Sequence, residues 1–186
     1  MNLEELLRQY RTGRRDFSRV DLTRIILKQT NLPQINFSQA ILTEIDLSEA
    51  NLEGAIFERA NLNLSNFSQA NLTEADFRSA SLKSTLLYRA NLGKAIFNKA
   101  DLSRAILQRA FLREANLESA ILVGANLEQA NLIDTNLANA DLTNANFKNA
   151  FLQGANLFQA RMDNVDLSQT ILTGATMPNG EIFNDS

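Results

Sequence analysis

The 186-residue sequence contains no cysteine, no histidine and no tryptophan. Without cysteine the chain forms no disulfide and carries no thiol nucleophile. The joint absence of cysteine and histidine removes the usual zinc ligands and the commonest general base. Phosphate-binding glycine loops and calcium-loop spacings of acidic residues are also missing from the sequence. We therefore expect no enzyme activity, no bound metal and no cofactor.

Long apolar runs are absent as well. No stretch reaches 18 consecutive apolar residues, so no membrane-spanning segment is expected. The first five residues are Met1-Asn2-Leu3-Glu4-Glu5, which lack the basic region and apolar stretch of a secretory signal. The expected compartment is the cytoplasm.

A five-residue repeat occupies most of the chain. Every fifth residue from Phe17 to Met177 is Leu, Phe or Met, without exception at 33 positions. Two residues before these centres, 22 of 32 positions from Val20 to Ala175 are Ala. One residue before them, 20 of 33 positions are Asn or Asp. The unit is therefore Ala-(Asn/Asp)-(Leu/Phe) followed by two variable, mostly polar residues.

A period of five fits neither a helix nor a flat strand. Five helical steps of about 100° would spread the centres around the cylinder. In a strand of period two, every second centre would point outward. A coil that turns between units sends every centre inward, with the small residue beside it and the other three residues facing water. Five of the seven Phe centres are 20 residues apart, which favours four units per coil: Phe17, Phe37, Phe57, Phe77 and Phe97.

These units closely resemble the pentapeptide repeat family, whose motif is Ala-(Asp/Asn)-Leu-x-x. The resemblance extends from residue 16 to about residue 180. It implies an all-β solenoid, a right-handed quadrilateral β-helix with 20 residues per coil, so 33 units make about eight coils. Uninterrupted members with a helical N-terminal cap are abundant in cyanobacteria, and the chain is most similar to that type.

Both ends of the solenoid need a cover because they expose unpaired backbone groups. An apolar face at i, i+3, i+4 and i+7 predicts a capping α-helix over residues 2–12, which Gly13 can terminate. A helix lying on a membrane surface is the alternative. Near the other end, Pro178-Asn179-Gly180 predicts a turn, after which Ile182 and Phe183 could cover the last coil. We divide the chain into a cap (1–15), a β-helix (16–180) and a tail (181–186).

Charge is distributed unevenly along the repeats. Residues 1–75 carry 8 positive and 10 negative charges, residues 76–114 carry 8 and 3, and residues 115–186 carry 2 and 8. The basic belt in the middle spreads over all four sides, whereas a nucleic-acid site needs one basic stripe with aromatic neighbours. The Asn and Asp residues could hold metal ions, but hydrogen bonds to the backbone at the turns explain them more simply.

Two functions follow from the resemblance. The first is a non-catalytic scaffold or regulator that contacts an unidentified partner protein. The second is mimicry of DNA, because some family members resemble a duplex and bind DNA gyrase. Against mimicry stand a net charge of only −3, the basic belt, and the lack of a projecting loop or a C-terminal dimerising helix. A structural spacer is a third reading. We expect a protein partner or a homodimer, no membrane contact and no direct contact with nucleic acid.

The residue before each centre faces outward, and its identity indicates where a partner would bind. It is normally Asn or Asp but becomes apolar in ten units, and aromatic or apolar residues next to Arg are typical of interface centres. With 20 residues per coil, Phe111, Phe151 and Ile171 form one column. Together with Ile133 close by and Arg113 at the edge, they define a candidate partner surface. A second candidate patch lies on another side: Leu86, Tyr88, Arg89, Ile106 and Arg109. Simple packing between neighbouring exposed residues is the alternative for both.

Overall fold

The computed structural model describes residues 1–184 and begins with one α-helix, α1 (Leu3–Arg11). Asn2 caps it, because its Oδ1 accepts a hydrogen bond of 2.9 Å from the N–H of Glu5. At the other end, Gly13 adopts a φ of +100° and donates its N–H to the carbonyl of Tyr10 at 3.0 Å. The helix thus lies within the predicted range of residues 2–12. No helix among the described residues has the length and apolar character needed to cross a bilayer.

Helix α1 covers the first coil. Leu6 is fully buried, and three further residues of the same face pack against the core: Leu3, Leu7 and Tyr10. The hydroxyl of Tyr10 donates a hydrogen bond of 2.7 Å to the carbonyl of Pro33, which fixes the helix to the coil beneath it. The apolar face is therefore buried against protein, as expected of a cap.

Residues 16–175 form eight coils of 20 residues, each with four sides of five residues. In the first coil the sides are 16–20, 21–25, 26–30 and 31–35, and each later side lies 20 residues further on. Parallel bridges join residues 20 apart, from Asp16 with Asn36 to Asn156 with Thr176. Each side except residues 166–170 contributes a single bridged residue to these ladders, so the described residues contain no longer β-strand. The coil length predicted from the Phe spacing is confirmed.

A tight turn at the end of each side sends the chain around the corner. The second residue after the centre has a φ between +55° and +62° at 27 non-glycine positions, a conformation that L-residues rarely adopt. The following N–H closes the turn, as when Ala110 donates to the carbonyl of Leu107 at 3.0 Å. Because the turn and the ladders together hold each corner, the chain tolerates this conformation even without glycine.

Asn and Asp before the centres bond the backbone of these turns. Their Oδ1 atoms accept from the N–H two residues later, at 2.9 Å from Ser18 to Asp16 and at 3.1 Å from Ile133 to Asn131. These bonds confirm the predicted structural use of the acidic and amide residues. Within residues 1–184, no group of three or more acidic side chains is arranged to hold a metal ion.

The interior consists of stacked side chains from successive coils. The centres from Phe17 to Leu157 and the alanines beside them are almost completely buried. On the first side the Phe rings form the predicted stack, with centroids 4.8 Å apart and planes at 3° between Phe77 and Phe97. Burying each Leu or Phe side chain contributes roughly 1.5–3 kcal/mol, so the stacked centres of the interior are the main source of stability.

The eighth coil departs from the regular register. Asn149 donates its N–H to the carbonyl of Gln169 at 3.0 Å, whereas the 20-residue register places Ser168 there. The side chains of Met162, Val165 and Leu167 are only partly buried. On the third side of this coil the backbone is therefore shifted by one residue relative to the register of the coils below it.

The predicted turn near the C-terminus is present. Gly180 donates its N–H to the carbonyl of Met177 at 2.9 Å, and the chain then runs back antiparallel to residue 176. Phe183 packs against the core, but Ile182 points outward and is 52% exposed. Only one of the two residues expected to cover the last coil does so, because adjacent residues of an extended segment face opposite ways.

Candidate partner-binding groove

A groove of about 860 Å³ runs along the edge between the third and fourth sides, from the fourth coil to the seventh. The corner residues that form one wall are Arg89, Arg109, Gln129 and Asn149. The residues of the fourth side that form the floor and the other wall are Phe111, Asn131, Ile133 and Phe151. The groove therefore combines a polar, cationic wall with an apolar, aromatic floor.

The corner turn places Arg109 next to Phe111. Arg109 occupies the corner position with a φ of +59°, and Ala110 then closes the turn. Phe111 follows as the first residue of the fourth side. The same turn one coil earlier places Arg89 at the same corner, so the two guanidinium groups belong to the edge of the fourth side as much as to the third.

The backbone holds Phe111 rigidly on the surface. Its N–H donates to the carbonyl of Ala90 at 2.9 Å, and its carbonyl accepts from the N–H of Leu92 at 2.7 Å. The side chain is nevertheless 53% exposed, and that of Phe151, two coils further on, is 39% exposed. Large aromatic side chains exposed in one column of the surface are typical of binding surfaces.

Two positive charges in the groove lack a carboxylate partner among the described residues. Arg109 donates from Nε to Oε1 of Gln129 at 2.7 Å, and the guanidinium of Arg89 lies 5.3 Å from the ring centroid of Tyr88. Four other cations of the basic belt form ion pairs with Asp or Glu: Arg78, Lys83, Lys94 and Arg113. The groove is therefore a place where the belt's charge is not compensated.

The structure brings together some of the predicted residues and separates others. From the first candidate surface, Phe111, Ile133 and Phe151 share the groove. Ile171 continues their column and is exposed, but it lies beyond the groove. Arg113 forms ion pairs with two acidic residues at the next corner: Glu114 at 3.3 Å and Asp134 at 3.6 Å.

The second candidate patch divides between two places. Its two cations, Arg89 and Arg109, line the groove and join the first surface. Leu86 and Ile106 form a parallel bridge on the third side, and Tyr88 lies beside them outside the groove. The two arginines therefore lie next to both sets of residues, because a corner residue belongs to two sides at once. Whether either set binds a partner stays a prediction.

Sequence reasoning missed Gln129 and Asn149, which continue the corner column of Arg89 and Arg109. The 20-residue spacing could have found them, because residues 20 apart occupy equivalent places in successive coils.

Comparisons with known proteins agree with this architecture. The family model described as pentapeptide repeats matches eight copies, in residues 16–54, 45–83, 85–122, 112–149, 120–158 and 152–179. No curated protein sequence matches the chain significantly.

Solved structures of other proteins are similar to it, among them HetL and QnrB1. HetL, a pentapeptide repeat protein involved in heterocyst differentiation regulation from the cyanobacterium Nostoc sp. strain PCC 7120, is 29% identical. That match covers 98% of this chain and 100% of HetL, with a TM-score of 0.48. A trypsin-treated form of QnrB1, a plasmid-mediated fluoroquinolone resistance protein, is 15% identical with a TM-score of 0.64. The match covers 86% of this chain and 92% of QnrB1, and it shows a common fold.

Proposed function

Because this chain belongs to the pentapeptide repeat family, whose members form right-handed quadrilateral β-helices, we propose that it is a non-catalytic scaffold or regulator that binds a partner protein through the groove. The observation that carries this proposal is the pair Phe111 and Phe151. Both are exposed aromatic residues at a position where the repeat normally has Asn or Asp, and the ladder holds both in place. The proposed compartment remains the cytoplasm.

The composition of the groove supports recognition of a protein. Aromatic residues and arginine supply much of the binding energy at protein interfaces, and a polar rim surrounds them. Here the rim consists of Gln129, Asn131 and Asn149. DNA mimicry has less support, because a mimic must present dense negative charge, and this groove presents two uncompensated arginines.

The test replaces Phe111→Asn and Phe151→Asn together. Asn is the repeat's own residue at this position, and it can accept a backbone hydrogen bond there, as Asn131 does from Ile133. The fold should therefore survive the double change. A matched control is Ile41→Asn with Ile121→Asn, which removes two apolar residues of similar exposure from the second side.

The measurement is capture of a partner from an extract of the host, together with sedimentation of the purified protein. We expect the wild type and the Ile41/Ile121 control to retain the same partner and the Phe111/Phe151 variant to lose it. A dimer that dissociates only in the Phe111/Phe151 variant would identify the partner as a second copy. Unchanged capture and unchanged sedimentation of that variant would refute the proposal.

A further inference from the structure

We propose that the groove binds a short, extended acidic segment of the partner, with carboxylates on Arg89 and Arg109 and an apolar side chain against Phe111 and Phe151. This inference rests on the proposed function and specifies the chemistry of the partner. It follows from the charges at the corners, the length of the groove and the state of its backbone.

At two corners of this protein, a cation forms an ion pair with a carboxylate at the same corner of the next coil. Arg24 pairs with Glu44 at 2.9 Å, and Lys94 pairs with Glu114 at 3.9 Å. Arg89 and Arg109 differ from these pairs because both are cations. They stand at the same corner of successive coils, about 4.8 Å apart along the axis. Their mutual repulsion is unfavourable unless an anion lies between them.

At another corner, two like charges in successive coils are neutralised by a side chain of opposite charge. Glu114 and Asp134 occupy successive corners, and Arg113 bridges them, with distances of 3.3 Å to Glu114 and 3.6 Å to Asp134. Arg89 and Arg109 have no equivalent carboxylate among residues 1–184. A carboxylate from a partner would take the bridging position, with charge-assisted hydrogen bonds to both guanidinium groups.

The groove has the length of a short peptide. From the coil of Arg89 to the coil of Phe151 are three steps, or about 14 Å along the axis. An extended chain covers about 3.3 Å per residue, so four or five residues fill the groove. The arginines lie toward α1 and Phe151 lies toward the C-terminus, so the acidic and apolar groups of the segment must be separated by about two residues.

Recognition must come from side chains. The backbone groups of the floor are used within the solenoid, as when Phe111 donates to Ala90 and accepts from Leu92. A bound segment therefore cannot add as a further strand. The amide side chains of Gln129 and Asn131 lie between the two ends of the groove, and Asn149 lies at the end of Phe151. Their amide NH2 groups are suited to donate to backbone carbonyls of the segment.

Other occupants fit less well. A nucleic-acid backbone needs a row of cations. The corner at the end of the fourth side instead carries two carboxylates, Glu114 and Asp134. A two-fold contact between two copies through this groove would use the same lining twice, and that lining contains no carboxylate to pair with the arginines. An acidic peptide satisfies the charges without either conflict.

The test selects ligands from a random heptapeptide phage library on the immobilised wild-type protein. We expect enrichment of Asp or Glu with an apolar residue about two positions away. A synthetic peptide of the selected consensus is then titrated against three variants. These are Arg89→Gln with Arg109→Gln, Phe111→Asn with Phe151→Asn, and the control Lys99→Gln with Arg104→Gln. The control removes two other exposed cations that form no ion pair among the described residues and that stand at different corners.

We expect both groove variants to weaken peptide binding by at least about tenfold, and the control to change it by less than about twofold. Added salt should weaken binding to the wild type, because the contact is electrostatic. Selected peptides without acidic residues, no enrichment at all, or equal binding to the Arg89/Arg109 variant would each overturn the inference. So would a short DNA duplex that displaces the peptide from the groove, or sedimentation showing that the groove already holds a second copy.

The two proposals fail in different ways. If the Phe111/Phe151 change abolishes partner capture while the Arg89/Arg109 change leaves it intact, the groove binds a partner that is not acidic. If neither change affects capture, the groove is not the binding site and the proposed function fails with it.

Discussion

The two halves of the fourth side have the same backbone but different surfaces. In the first four coils the residue before each centre is Asn: Asn31, Asn51, Asn71 and Asn91. Their amides form a ladder, with Nδ2 of Asn51 bonded to Oδ1 of Asn31 at 2.8 Å and Nδ2 of Asn71 bonded to Oδ1 of Asn51 at 3.0 Å. In the next four coils the same position holds Phe111, Asn131, Phe151 and Ile171. The parallel bridges continue through both halves.

Asn and Phe at the position before the centre differ in the hydrogen bonds that they contribute to the fold. An Asn in the ladder bonds its neighbour and also accepts a backbone N–H, as Asn71 does from Thr73 at 3.3 Å. Phe at the same position gives up these bonds and leaves a large apolar surface in water. Since the backbone is the same with Asn and with Phe at this position, the coil geometry does not depend on an aromatic residue there.

The largest effect should come from the core beneath both halves, where the two halves ought to be alike. Leu92→Asp and Leu132→Asp each place an unpaired charge among stacked apolar side chains, and each should lower the free energy of unfolding by about 4 kcal/mol or more. Lys99→Gln is the control, because this exposed side chain forms no ion pair among the described residues and the change should alter stability by less than about 0.5 kcal/mol. Urea unfolding measures all three variants. A marked difference between Leu92→Asp and Leu132→Asp would show that the two halves also differ in their packing.

The core and the surface also differ in how well the sequence predicts them. The five-residue period requires an inward centre, and the 20-residue spacing of Phe17, Phe37 and Phe57 favours four sides per coil. Packing drives these features, and each unit repeats the signal. The core and the coil length could therefore be predicted from the residues alone.

The groove could be predicted only in part. The column of Phe111 and Phe151 follows from the period, but the position of Arg89 and Arg109 depends on the corner geometry. A residue with a φ near +58° projects from the edge shared by two sides, and no pattern in the sequence marks this conformation at non-glycine positions. The shifted register of the eighth coil could not be predicted from the sequence either, because its units keep the five-residue period.

Moving an aromatic residue into the first half should be costly. Asn71→Phe removes the bond to Asn51 and the two bonds that Oδ1 accepts from Thr73, at 3.3 Å from the N–H and 2.7 Å from the hydroxyl. We expect the free energy of unfolding to fall by about 1–3 kcal/mol, because several hydrogen bonds are lost together. Thermal unfolding would show this, and Asn71→Ser, which keeps an acceptor for the backbone N–H, should lose less. If Asn71→Phe is as stable as the wild type, the ladder does not stabilise the first half.

The reverse exchange should cost almost nothing. Phe111→Asn places an amide between Asn91 and Asn131, where it can extend the ladder and accept the N–H of Arg113. The gain of about 1 kcal/mol per hydrogen bond is offset by the loss of partly buried ring surface, so stability should change by less than about 1 kcal/mol. The same unfolding measurement applies. A loss as large as that of Asn71→Phe would mean that Phe111 is a packing residue, and the contrast between the two halves would lose its functional meaning.

The smallest expected effect is a loss of stability at low pH that comes from residues of the second side and not from residues of the fourth side. The second side has Asp at the ladder position in several coils, whereas the fourth side has only Asn and apolar residues there. The backbone N–H of Thr23 and then its hydroxyl bond the carboxylate of Asp21 and hold its pKa below the ordinary value of 3.8. The pKa is therefore lower in the folded chain than in the unfolded chain. The stability that Asp21 contributes is fully present above the unfolded value and is lost as the pH falls through the folded value.

Asp21→Asn keeps an oxygen acceptor for Thr23 but cannot be protonated in this range. Melting temperatures measured between pH 7 and pH 3 should therefore fall less steeply below about pH 4 for Asp21→Asn than for the wild type. Other carboxylates with lowered pKa values, such as Asp16 and Glu44, remain in the variant, so the slope should decrease without disappearing. Phe111→Asn serves as the comparison from the fourth side, and its profile should run parallel to that of the wild type, because neither residue titrates. A profile for Asp21→Asn that coincides with the wild type would mean that the turn bond of Asp21 does not contribute to stability, and that Asn and Asp are interchangeable at the ladder position in acid as well as at neutral pH.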